Sequence, residues 1–141
     1  MNEKVLIISE KNSCRSQIAE AILKSLDNHL LVYSAGISSS PKINPLVVLV
    51  MDELGIDVRN YYSKSVSEFF DQQFDHVITL SDNAKVECIN LITKAKEFHH
   101  YQIDHPAQRI VLDEEIMDKY RRIRDKIFSN VLDFYLTLRK N

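Results

Sequence analysis

The chain runs to 141 residues, 45% hydrophobic and 27% charged, with a formal net charge of −2. That length suits one domain with a single core, and so small a net charge excludes a nucleic-acid binder that works through bulk electrostatics. No apolar run approaches the ~20 residues that cross a bilayer, and the first residues lack the apolar stretch and cleavage site of a secretory signal. The expectation is a cytoplasmic chain with no nucleic-acid or membrane partner, in which Cys14 and Cys88 stay free thiols.

The elements alternate. "KVLII" (4–8) and "LLVYSAG" (30–36) read as buried strands, and between them Ile18, Ala21, Ile22 and Leu26 recur at helical spacing. Asn44 and Pro45 supply a helix cap and first position, and Gly55 supplies a stop, so the valine-rich "LVVLVMDEL" is predicted as helix although its periodicity alone also suits a strand. "FDHVITL" (74–80) is a third strand, a helix runs from Asp82 to about Ile92, and "FHHYQI" (98–103) is a fourth strand. His99 and His100, adjacent in that strand, point to opposite faces and do not share a metal ion. Ile116, Tyr120, Ile123, Ile127, Val131, Phe134 and Leu138 form one stripe along a last helix. Its basic residues, Lys119, Arg121, Arg122, Arg124 and Lys126, alternate with acids at pairing distance (Glu115 with Lys119, Asp118 with Arg122) and read as a solvated face. Tyr61 and Tyr62 read as packing. Strands joined by helical crossovers give a four-stranded parallel sheet in a three-layer αβα domain, with ligands held at the carboxyl ends of the strands.

At that end lies "SEKNSCRSQIAEAIL" (9–23). A tight turn from strand into helix can aim consecutive backbone N–H groups, together with the helix dipole, at one oxyanion. Arg15 adds a planar fork that grips two oxygens at once. Asn12 tolerates a left-handed backbone in a turn without glycine. The candidate oxyanion-binding residues are Ser9, Glu10, Lys11, Asn12, Ser13, Cys14, Arg15 and Ser16. Nothing in the chain calls for a metal or an organic cofactor.

This stretch resembles the C-x5-R-S anion loop of the low-molecular-weight protein tyrosine phosphatases and of the thioredoxin-coupled arsenate reductases that share their fold. "VYSAG" (32–36), "NP" (44–45), "GID" (55–57), "SKSVSEF" (63–69), "FDHVITLSDNAKVEC" (74–88), "HPA" (105–107) and "RRIRDKI" (121–127) are similar to the arsenate-reductase branch, in order and over nearly the whole chain. The resemblance implies a single domain over 1–141 with that fold. It also shows departures at the chemistry: the family's nucleophilic cysteine aligns with Ser9, its small loop residues with Glu10 and Lys11, and its first relay cysteine with Ser81. Only the relay partner, Cys88, is matched. The general-acid aspartate slot holds His105, with Asp104 one residue earlier. The resemblance further implies a brace behind the loop. Asn12, Glu20 and Ser34 correspond to residues that share a potassium ion in some members, and Lys64 places an ammonium there instead.

A cysteine in such a loop works as a thiolate, because dipole, donors and cation lower its pKa. A serine hydroxyl needs a base within hydrogen-bond reach, and His105 is the candidate that the resemblance offers. Glu10 repels an anion unless it points outward or pairs with Lys11. The first reading is a protein that binds phosphate, sulfate, arsenate or a phosphorylated group and has lost thiol-based turnover. The rival is an active arsenate reductase or tyrosine phosphatase that uses Cys14 or Ser9, with thioredoxin as partner only if it is redox-active. In a third reading Ser9 and Ser81 are introduced replacements, although the accompanying changes at Glu10 and Lys11 favour natural divergence.

Overall fold

The computed structural model describes residues 2–40, 42–104 and 113–140. Strands β1 (Lys4–Ser9), β2 (Leu31–Gly36), β3 (His76–Thr79) and β4 (Glu97–His100) form one sheet in the order β2-β1-β3-β4, every pair parallel. β1 is central and covered on both faces, which is why its interior reads Val5-Leu6-Ile7-Ile8 without a polar residue. Val5 and Ile7 face a core made with α1 (Arg15–Leu26), α2 (Pro45–Asp52) and α5 (Glu114–Arg139). Leu6 and Ile8 face a second core made with a 3-10 turn (Val66–Phe69), α3 (Asp82–Glu87) and α4 (Ile89–Lys94). This is the expected αβα sandwich.

The capping signals decided α2 correctly. Asn44 Oδ1 accepts from Leu46 N at 2.9 Å, Pro45 opens the helix, and Gly55 takes φ 73° just beyond it. Two expectations need correcting. The single helix from Asp82 to Ile92 is instead two short ones that meet at Cys88, whose backbone (φ −108°, ψ 27°) leaves the helical range. Ala84, Cys88 and Leu91, spaced as on one helical face, reach the second core from both sides of the break. The regular ladder of β4 also ends at His100, although Tyr101 N and Ile103 N still donate to Thr79 O and Leu80 O.

The basic stretch of α5 is less solvated than its charge pattern suggests. Arg124 is buried and donates to Val50 O (2.9 Å) and Glu53 Oε1 (2.7 Å), while Arg121 forks onto the same Glu53 carboxylate. These bonds join α5 to the end of α2. Of the two tyrosines, Tyr61 packs against the first core, whereas Tyr62 lies exposed beneath the Lys64 ammonium. Among the described residues, no helix is long and apolar enough to cross a membrane.

Candidate functional site

Ser9 ends β1, Arg15 begins α1, and the loop between them is held from outside by its carbonyls. Ser9 O accepts from Ile37 N (3.2 Å), Glu10 O from Ser38 N (2.9 Å), Lys11 O from Ser40 N (3.0 Å) and Ser13 O from Asn44 N (2.8 Å). Asn12 O accepts from Ser63 Oγ at 2.9 Å. With the carbonyls turned outward, the N–H groups turn inward, and among the described residues no backbone N–H from Glu10 to Gln17 has a hydrogen-bond acceptor. Buried donors without acceptors are costly. A tetrahedral oxyanion satisfies several of them together.

Two local features shape this cradle. Asn12 adopts φ 56°, the left-handed conformation that the glycine-free loop needs. Gly36, paired with Ser9 across the ladder, lies directly behind it. A Cβ there would sit 2.6 Å from Lys11 C and 2.8 Å from Asn12 N, so only glycine lets the loop pass.

The side chains behind the loop form a directed network. Lys64 N can only donate, so Asn12 Oδ1 faces it (2.8 Å) and the Asn12 amide donates to Ser34 Oγ (2.9 Å) and Ser16 Oγ (2.7 Å). Ser34 then donates to Glu20 Oε1 at 2.6 Å, and Ser16 shares a 2.6 Å hydrogen bond with Ser9 Oγ. The expected brace residues therefore do come together, with Lys64 Nζ 3.7 Å from Glu20 Oε1. The tighter cation is one the sequence reading missed: Lys24 Nζ lies 2.7 Å from Glu20 Oε2. Burial pulls the Lys24 pKa down, yet its hydrogen bond to Glu20 leaves it raised, whereas burial holds Lys64 below its ordinary value. Gln17 was missed as well. Fully buried, it donates from Nε2 to Asn12 O, Asn12 Oδ1 and Tyr62 O, and so locks the left-handed turn to the 61–64 segment.

Arg15 is buried at the cradle's edge, with Nη1 anchored on Ile103 O at 2.9 Å. Burial lowers its pKa, while the neighbouring charges of Glu10 and Asp104 work against that shift. Among the described residues the Glu10 carboxylate pairs with Arg15 (4.0 Å), where the sequence suggested Lys11. An incoming anion thus competes with Glu10 for the same fork. Asp104 is exposed and acts on Arg15 through its charge; His105 lies outside the described residues.

Neither thiol is poised for attack. Cys14 precedes α1 with its side chain buried, which pushes its pKa up from 9.0 to about 12 against the attraction of Arg15. Burial pushes Cys88 up to about 11. Ser81 caps α3, its Oγ accepting from Ala84 N at 3.3 Å, so the hydroxyl has a structural task of its own.

Sheet order, the loop after β1 and the arginine that follows it define the phosphatase-type αβα class. The chain belongs to the low molecular weight phosphotyrosine protein phosphatase family, whose profile matches residues 4–141. Curated relatives of the chain include bacterial arsenate reductases. It is 38% identical to the arsenate reductase of Halalkalibacterium halodurans over 95% of this chain and 96% of that one, and 34% identical to that of Bacillus subtilis over 94% and 95%. A solved arsenate reductase in its phosphate-binding state superposes with a TM-score of 0.80 at 28% identity, covering 96% of this chain and 98% of that one. The fold is also that of an arginine phosphatase mutant solved with a phosphorylated active-site serine (TM-score 0.80, 22% identity, covering 98% and 97%).

Proposed function

We propose that this chain binds a phosphate-like oxyanion in the 9–16 loop and has no thiol-based turnover. The observation that carries the reading is the set of N–H groups from Glu10 to Gln17 that have no acceptor among the described residues, bordered by the buried Arg15. The solved relative in a phosphate-binding state supports the same ligand chemistry. The loss of turnover follows from the groups present. Ser9 Oγ has a neutral hydroxyl, Ser16, as its partner, and a hydroxyl cannot take up its proton as a base does. Cys14 and Cys88 are protonated at neutral pH. Arsenate reduction in the manner of the reductases needs three thiols, and Ser9 and Ser81 stand at two of their positions.

Within this reading each loop residue has a task. Backbone donors bind the equatorial oxygens, the dipole of α1 offsets their charge, and Arg15 forks onto two of them. Glu10 moves off Arg15 as the anion enters, which weakens binding relative to a loop of small residues. The brace of Asn12, Glu20, Ser34 and Lys64 keeps the turn in shape whether or not ligand is present.

The test is titration with inorganic phosphate and arsenate followed by amide chemical shifts, beside assays of aryl phosphate hydrolysis and thioredoxin-coupled arsenate reduction. Saturable shifts confined to residues 9–17, no turnover, and loss of the shifts in Arg15→Ala are expected. Turnover by the unmodified chain that disappears in Arg15→Ala contradicts the second half of the proposal; absence of loop shifts contradicts the first. The solved neighbour's phosphorylated serine makes intact mass a useful added readout, because a phosphoryl group on Ser9 would reveal covalent chemistry at oxygen.

A further inference from the structure

The amino end of the sheet carries a second cluster, unrelated to the loop. His76 opens β3, and Glu97 and His99 lie along the neighbouring edge strand β4, with His76 paired to Glu97 and Ile78 to His99 in the register. Period-two alternation puts all three side chains on the α5 side of the sheet. There the rings of His76 and His99 both pack edge-on against Phe134, with centroids 5.2 and 4.9 Å away. Three ligand-type atoms converge. His76 Nδ1 and His99 Nε2 are 3.3 Å apart, and Glu97 Oε2 lies 3.4 Å from the first and 3.6 Å from the second.

The triangle has the dimensions of a coordination face. Tetrahedral bonds of roughly 2.0–2.1 Å place neighbouring ligand atoms about 3.3–3.4 Å apart. The hydrogen-bond geometry suits it too. Glu3 Oε2 lies 2.8 Å from His76 Nε2, and a carboxylate only accepts, so Nε2 donates to Glu3 and Nδ1 is the nitrogen directed at the cluster. His76 Nδ1 faces both His99 Nε2, in a 3.3 Å hydrogen bond, and the Glu97 oxygen at 3.4 Å, so an ion bound there replaces the proton shared by the two rings. A carboxylate that holds the far nitrogen of a histidine is the usual outer support of a metal-ligating imidazole.

We propose that His76 Nδ1, His99 Nε2 and Glu97 Oε2 form a site for a divalent transition-metal ion of the zinc type, with Glu3 as the supporting carboxylate and the fourth position open to water. The Glu97 side chain is 52% exposed, which gives the ion a way in from solvent. The loop lies beyond the opposite ends of the strands, a strand length of about 13–17 Å away, so the ion stabilises the β3–β4 edge and takes no part in oxyanion binding. His99 and His100 indeed face opposite ways, as expected; the second imidazole comes from the adjacent strand.

The experiment titrates the EDTA-treated, dialysed chain with Co2+ and then displaces it with Zn2+. Expected are one equivalent of Co2+ with the strong visible absorption of a tetrahedral centre, no thiolate charge-transfer band, and a melting temperature raised by about 5–10 °C at hundredfold excess Zn2+ over Kd. His99→Ala and Glu97→Gln raise Kd at least tenfold, Glu3→Gln raises it about tenfold to a hundredfold, and His100→Ala, on the opposite face beside Thr79 and Asp82, leaves it unchanged. Circular dichroism establishes that each variant folds. His76 is left intact because it is buried. A pale octahedral spectrum, a thiolate band, or equal affinity in the His99 and Glu97 variants overturns the proposal.

Discussion

The two ends of the sheet treat charge in opposite ways. At the carboxyl end, donors are left over: among the described residues the backbone N–H groups from Glu10 to Gln17 have no acceptor, and they lie beside Arg15 and the start of α1. At the amino end, ligand-type side chains meet instead: two imidazole nitrogens and a carboxylate oxygen, with Glu3 behind them. Parallel topology makes the first arrangement easy, since every strand delivers a loop and a helix N-terminus to the same side. The second depends on side chains that adjacent strands happen to bring into register. One end is built from backbone and the other from side chains, so substitutions act on them differently.

The largest effect expected from a test of that contrast is at the carboxyl end. Arg15→Ala removes a charge-assisted fork whose hydrogen bonds are worth about 1.5–3 kcal/mol each, so phosphate affinity falls at least tenfold by calorimetry while Co2+ binding at the amino end stays intact. Loss of both sites together would mean that the two ends are not independent. Gly36→Ala should come next. Its Cβ meets Lys11 and Asn12 backbone at 2.6 and 2.8 Å, so urea melts should show about 1–3 kcal/mol of destabilisation together with weaker phosphate binding; an unchanged melt would show that the loop is less tightly seated than described. Ser81→Ala, which removes the α3 cap, should cost about 1 kcal/mol with phosphate binding unchanged. A loss of binding there would give Ser81 a role at the site.

The smallest effect lies in the seam between α2 and α5, away from both ends. Hydrogen bonds from Arg121 and Arg124 hold the Glu53 pKa below its ordinary 4.5. A depressed carboxylate stabilises the fold above its unfolded pKa and loses that contribution as the pH falls below 4.5 toward the folded value. Glu53→Gln should therefore lower stability at pH 7 by about 1 kcal/mol, since the carboxylate itself is partly exposed although its partner Arg124 is buried. It should also flatten the decline below pH 4.5, measured by melts across pH 3–7 and read against the parent chain.

The same contrast explains what the sequence made legible. The loop is contiguous, so Ser9 to Ser16 could be read as one unit, and Asn12 even revealed its left-handed turn. Asn44, Pro45 and Gly55 named the ends of α2 because capping is local chemistry. The break at Cys88 was invisible, since no glycine or proline marks it and the apolar spacing of Ala84, Cys88 and Leu91 is that of one continuous helix. Lys24 stood at i,i+4 from Glu20, a spacing that could have exposed it as the nearer cation of the brace. Glu10 turning to Arg15 was hidden because only the folded loop brings them together. Glu3, His76, Glu97 and His99 come from three separate segments, and strand register alone unites them.

The central claim is that oxygen at residue 9 leaves a loop that binds but does not turn over. Comparing initial rates of aryl phosphate hydrolysis by the unmodified chain and by Ser9→Cys tests it most directly. The expected result is background rate for the unmodified chain and about a thousandfold or greater gain for Ser9→Cys, because a sulfur in this cradle ionises where the hydroxyl does not. Equal rates in the two, abolished by Arg15→Ala, would contradict it.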